Sequence, residues 1–182
     1  MNWKEDYKRK LVSAEEAVKV VKSGDRVIFP MAQQPNVLAE ALAARKDVLR
    51  NVEILQGVTT TAYPWLEPGY EEAFIVNCGQ YTGPRPRPMM HARKADFTPV
   101  TYAMEFKDLN ERRPGCIDPD VVVVVVTPPN ENGYCSFGEA VWEKKEYIQR
   151  SKIALAEVNE HLIRTYGNNF VHVSEIDYFV EA

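Results

Sequence analysis

Two side-chain amides, Gln33 and Gln34, stand between a short run of β-formers (Arg26 to Phe29) and the start of an apolar helical stripe. Free backbone N–H groups gather at such a helix start, and a turn there can hold a carbonyl oxygen as it gains charge. The same residues also read as a plain solvated strand-to-helix loop. Further along, Cys135 lies in the stretch Gly133-Tyr134-Cys135-Ser136-Phe137-Gly138. No histidine is spaced to activate its thiol, so a small apolar residue packing a turn is the simpler reading. Glu139 suits a carboxylate at the positive end of a helix better than a general base. Trp142 reads as a core or interface residue rather than a stacking platform. Arg85 and Arg87, set among prolines, fit either a grip on phosphate or carboxylate or an exposed structural loop.

Several chemistries are excluded. No G-x-G-x-x-G follows a strand, so a dinucleotide site lacks its phosphate turn. Gly133 and Gly138 have the spacing of a triphosphate loop, but Glu139 stands where a lysine is needed. There is no G-x-S-x-G elbow. His91, His161 and His172 share no metal-ligand spacing, so no metal is expected. A formal charge of −4 argues against nucleic acid or an anionic membrane as partner. The basic pairs Arg112-Arg113 and Lys144-Lys145 read as solvated helix faces. Three cysteines without metal spacing imply no disulfide framework, and a reducing cytoplasm is the simpler setting. No signal peptide or membrane span is expected.

The elements that must position these residues follow from periodicity. The 182 residues fit a single domain. Six consecutive valines, Val121 to Val126, are stiff at χ1 and favour an extended strand buried on both faces. Pro128-Pro129 must end it. The Asn-, Gly- and Ser-rich segment to Gly138 is then a shaped loop beyond a strand end, where ligands of open parallel sheets bind. Other strands are expected at Arg26 to Phe29, Val52 to Val58, Phe74 to Asn77, Asp96 to Tyr102 (interrupted by Pro99), Lys152 to Val158 and Phe170 to Val173. This last run extends toward Ile176. Helices are expected after Ser13, whose box with Glu16 caps the start, and after Asn36 as N-cap. Others are expected from Pro88 to Lys94, Phe106 to Arg112 and Ala140 to Arg150. Residues 1–12 read as a helical lead-in and 62–73 as an ordered loop with a helical turn. This alternation specifies an α/β fold, a mostly parallel sheet flanked by helices. The chain stops at Ala182, directly after an element that reads as internal.

The chain also resembles the amino-terminal half of the acetyl-CoA hydrolase/transferase family, which holds the 4-hydroxybutyrate and butyrate:acetate CoA-transferases. The stretches that carry the resemblance are Lys10 to Ala17 with Ser23 to Val27, Pro35 to Leu42, Arg93 to Val100, Thr127 to Gly138, Ala156 to Asn159 and Phe170 to Asp177. They run in order along the whole chain.

The resemblance implies a single CoA-transferase amino-terminal-type domain over 1–182, with a sheet like that of the pentose-phosphate isomerases. It implies transfer of CoA between an acyl-CoA and a carboxylic acid such as acetate, through a glutamyl intermediate. The nucleophilic glutamate and most of the CoA grip belong to a separate carboxyl-terminal domain or subunit, so no catalytic residue is assigned in this chain. Coenzyme A thioester enters as substrate, with no tightly bound cofactor, in a cytoplasmic oligomer. The implied substrate-binding residues are Met31, Ala32, Gln33, Gln34 and Pro35 in the loop facing the cleft, with Ser136, Phe137 and Gly138 shaping the acyl end or the domain interface. Many relatives have small residues and glycines where this chain has Met-Ala-Gln-Gln, which implies a narrower or more polar acyl pocket. On this reading Phe137→Ala changes acyl preference or assembly more than it weakens the sheet. Two alternatives remain open: an acyl-CoA hydrolase subunit, and a non-catalytic module binding acyl-CoA or a partner.

Overall fold

The valine run forms the strand that the sequence dictates, and all six side chains are buried. Around it the computed structural model describes residues 2–32, 34–58, 61–79, 82–140 and 142–182. In chain order these residues form α1 (Trp3–Lys10), α2 (Ala14–Ala17), β1 (Arg26–Phe29), α3 (Asn36–Ala43), β2 (Val52–Gln56), β3 (Phe74–Gly79) and α4 (Arg87–His91). There follow β4 (Ala95–Thr98), α5 (Glu105–Asn110), β5 (Val121–Val126), β6 (Tyr134–Ser136), α6 (Lys144–Arg150), β7 (Ile153–Val158), β8 (Phe170–His172) and β9 (Tyr178–Glu181).

Seven strands make one sheet in the order β4-β3-β2-β1-β5-β7-β9, and every pairing in it is parallel. The chain winds outward from β1 to the β4 edge and then returns to lay β5 on the other side of β1. The loops leaving β1 and β5 therefore part in opposite directions, and a crevice opens between them at the carboxyl ends of the strands. That reversal is where open α/β sheets take their ligands.

Each face of the sheet has its own core. On one face, Ala14 and Ala17 of α2 and Leu38 and Leu42 of α3 pack on Val27, Ile54, Val76 and Val123. Phe29, Tyr63, Trp65 and Phe74 cluster there with ring centroids 4.7–5.9 Å apart. On the other face, Tyr147 and Ile148 of α6 and the β6/β8 ribbon cover Val122, Val124, Val126, Ala156 and Phe179. Tyr7 of α1 adds a ring contact with Phe179 at 4.8 Å.

Four expectations need correcting. The segment after Val126 is more than a loop, because Tyr134–Ser136 pairs antiparallel with Phe170–His172 as a two-stranded ribbon outside the main sheet. The run from Phe170 is thus not the last strand of the sheet. It turns at Val173–Glu175, where the His172 side chain and Glu175 form a capping box. The seventh strand is Tyr178–Glu181, which the sequence reading missed: four residues after Asp177 carry too little periodicity to be seen alone. Helix α6 starts at Lys144 rather than Ala140, since Glu143 sits at φ 67 and a left-handed residue cannot belong to a right-handed helix. Finally, Asn36 does not cap α3. The N-cap position is Pro35, with no side-chain cap of its own.

Candidate functional site

At the carboxyl ends of β1 to β4 lies a slot of about 80 Å³. Its wall takes one residue or more from the carboxyl end of each of the first four strands: Met31 after β1, Gly57 after β2, Gly79 ending β3 and Thr98 ending β4. Glu105, Glu143 and Tyr147 also line it. A larger groove of about 440 Å³, lined by Arg85, Glu71 and Lys94, lies elsewhere. Glu71 and Lys94 immediately precede β3 and β4, so that groove flanks the amino ends of the strands. Its charges are already matched, with Lys94 Nζ 2.8 Å from Glu71. Arg85 lines it, and Arg87 is exposed on α4. The smaller slot has the topologically meaningful position.

The loop after β1 is shaped by its neighbours. A Cβ at Gly57 would stand 3.0 Å from the Met31 Cβ, so a side chain there would press the two loops apart by a few tenths of an ångström. Tyr102 donates its hydroxyl to Met31 Sδ at 3.3 Å and meets Trp142 edge-on at 4.9 Å. The Trp142 indole N–H in turn donates to Glu143. Trp142, 43% exposed, belongs to the rim rather than the core. Ala32 is held at φ 82, a strained value for a residue with a Cβ. Gln34 accepts from the Thr61 hydroxyl, and Pro35 is buried. Gln33 lies outside the described residues.

The start of α3, where free N–H groups were expected, is already served from inside the protein. Glu157 of β7 accepts from Leu38 N at 3.0 Å and also from the N–H groups of Val37 and Asn36. A buried carboxylate thus caps the helix from across the sheet and satisfies its positive end. Burial raises the pKa of Glu157, and the three backbone donors oppose that rise. The N–H groups of the first turn of α3 are therefore already engaged. At the end of β2, the Gln56 carbonyl oxygen accepts from the Trp65 indole at 3.0 Å. Its buried Nε2 has no hydrogen-bond partner among the described residues.

The second set of expected site residues is shut in. Ser136 and Phe137 are 0% and 1% exposed, and Gly138 is buried. Ser136 Oγ accepts from Gly138 N at 3.1 Å, and the Gly138 carbonyl accepts from Asn169 at 2.7 Å and Thr165 at 2.6 Å. Phe137 packs in the core with Tyr147 and Val126. Cys135 is fully buried, and burial pushes its thiol up to about 12, so it is no nucleophile here. Glu139 is exposed in a turn five residues before α6 begins, so it does not serve that helix's dipole.

What joins the two loops is a residue the sequence reading placed on a solvated face. Lys144 is 0% exposed. Its ammonium donates to the Ala140 carbonyl, beyond Gly138, and lies 3.5 Å from the Met31 carbonyl. Burial lowers its pKa to about 8 against the opposing pull of Glu139 and Glu143. Its neighbour Lys145 is only half-buried, donating to Asn168 at 2.7 Å. The left-handed Glu143 carries the only local hint of special geometry, and a glutamate is not a residue from which left-handed backbone is inferred.

Comparison with known proteins now adds to this geometry. Residues 1–182 match the family described as the acetyl-CoA hydrolase/transferase N-terminal domain. The chain belongs to this family. It is 36% identical over 183 residues to the 4-hydroxybutyrate coenzyme A transferase of Clostridium kluyveri; the match covers 100% of the chain and 42% of that protein. The fold resembles that of RipA from Yersinia pestis, with a TM-score of 0.90 at 22% identity over 100% of the chain and 44% of RipA. It also resembles 4-hydroxybutyrate CoA-transferase from Porphyromonas gingivalis, with a TM-score of 0.67 at 27% identity over 100% of the chain and 41% of that protein. The chain thus spans well under half the length of these relatives. No helix among its described residues is long and apolar enough to cross a membrane.

Proposed function

We propose that this chain is the amino-terminal half of a CoA-transferase, a single domain over 1–182 that forms one wall of an active site. The slot at the carboxyl ends of the strands carries this reading: residues at or just after the ends of β1 to β4 line it, and the family match covers the whole chain. The other wall comes from a carboxyl-terminal domain or subunit, which supplies a glutamate nucleophile. That carboxylate attacks the acyl thioester, expels the CoA thiolate and leaves a mixed anhydride. The thiolate then attacks the glutamyl carbonyl, releasing the first carboxylic acid and forming a glutamyl thioester. An acceptor acid takes up CoA by the reverse sequence.

Met31, Ala32, Gln33, Gln34 and Pro35 face the acyl end of the substrate in this proposal, and Ser136, Phe137 and Gly138 support the cleft from behind. The coenzyme A thioester is a substrate, no tightly bound cofactor is involved, and the assembly is a cytoplasmic oligomer. The test is CoA exchange between a labelled acid and its acyl-CoA, measured for the chain alone and with a carboxyl-terminal half of the family. Exchange only in the mixture is expected. Robust exchange by the chain alone overturns the proposal, and steady thiol release without exchange points to hydrolysis.

A further inference from the structure

An ammonium removed from water normally finds a carboxylate, because an uncompensated buried charge is expensive. Lys144 departs from this pattern. Its side chain is fully buried, and its hydrogen bonds go to two backbone carbonyls, Ala140 and Met31. Glu139 and Glu143 act on it only through space, and the carboxylate of Glu105, on α5, is engaged by the Tyr147 hydroxyl. A methionine would fill the same volume without the cost of the charge. It could not hold two carbonyls.

Those two carbonyls belong to two different segments, of which Met31 lines the slot. Met31 opens the loop after β1, and Ala140 follows the turn after β6. Glu143, next in sequence to Lys144 and held at φ 67, is itself part of the slot wall. Three donors on one ammonium can thus hold Met31, which lines the slot, against the segment that leads into Glu143, which lines it too.

Resting on the CoA-transferase reading above, we propose that Lys144 is a positioning residue whose buried ammonium ties the loop after β1 to the turn after β6 and so sets the width of the slot for a short-chain acyl thioester. It touches no reacting atom. It acts through Met31 and Glu143.

The tie and its consequence are tested separately. In the chain alone, Lys144→Met is expected to speed amide hydrogen exchange at Ala32, Gln34 and Ala140 by roughly tenfold or more, with β2 and β3 amides unchanged. In the assembly with a carboxyl-terminal half, the same variant is expected to change the ratio of kcat/KM for acetyl-CoA over butyryl-CoA by about tenfold, the change falling mainly on KM. Lys144→Arg, which keeps the charge, should restore part of the wild-type ratio. Unchanged exchange in the two loops overturns the proposal, as does an equal loss for every acyl-CoA with exchange raised throughout the sheet. Should Lys144→Met not fold, Lys144→Gln, which keeps a donor without the charge, answers both questions. An assembly whose wild type transfers no CoA refutes the transferase reading and leaves the exchange result to decide the tie.

Discussion

The loops after β1 and β5 leave neighbouring strands at the same end of the sheet and differ in how they are held. The β5 loop is sewn into the core, by bonds of its own and by Arg164, Thr165 and Asn169 ahead of β8. Thr127 and Ser136 exchange hydrogen bonds of 2.9 Å, Asn130 accepts from Asn132 and Tyr134, and Ser136 and Phe137 sink into the core. The β1 loop and the α3 start that follows it are held by others: Glu157 from β7, Lys144 from α6, Tyr102 before α5 and the bare backbone of Gly57. A loop sewn into the core serves as scaffold. A loop fastened from four other places can present its surface to a ligand and change it without unfolding the sheet. The segment richest in suggestive residue types is thus the buried one, and the plainer loop after β1 is the one that lends Met31 to the slot.

This contrast can be broken most forcefully at Phe137. Phe137→Ala is expected to cost about 3–5 kcal/mol, read by denaturant unfolding, because a fully buried ring is lost. A cost under about 1 kcal/mol, with altered acyl preference, would return the β5 loop to the site. This revises the expectation from sequence, which put the effect on acyl preference first; burial against Tyr147 and Val126 is the reason.

The next test titrates the support of the β1 loop. Burial lowers the Lys144 pKa from 10.5 to about 8. Between those values the unfolded chain binds a proton that the folded chain does not, so this group's contribution to stability rises with pH over that window. Relative to Lys144→Met, the wild type should therefore gain stability from pH 8 upward, by at most roughly 3 kcal/mol. A pH-independent difference between the two would show that the ammonium is not buried in solution.

Glu157→Ala comes third. It removes the cap of α3 and should cost about 2 kcal/mol, with faster amide exchange at Val37 and Leu38. An intact α3 start would mean that the loop does not lean on the far strand. The smallest effect is expected at Ala32. Ala32→Gly relieves a left-handed backbone and should raise stability by less than about 1 kcal/mol, since glycine's greater freedom when unfolded offsets part of the gain. A loss of stability there would show that the Ala32 side chain packs in the wall.

Much of this protein can be read from its chain. Six valines can only be a buried strand, Pro128 can only end it, and the alternation of strand and helix patterns fixes a parallel α/β sheet. The family, too, is legible in stretches such as Pro128 to Gly138. These features are local: stiffness at χ1, a missing N–H and apolar periodicity act within a few residues. Only the tertiary structure decided that Tyr178–Glu181 joins the sheet, that Glu157 caps a helix more than a hundred residues earlier and that Lys144, not Lys145, is the buried lysine. Each depends on which strand lies beside which and in what register. The same six valines that announce the fold bring the β1 and β7 ends close enough for one carboxylate to cross beneath them.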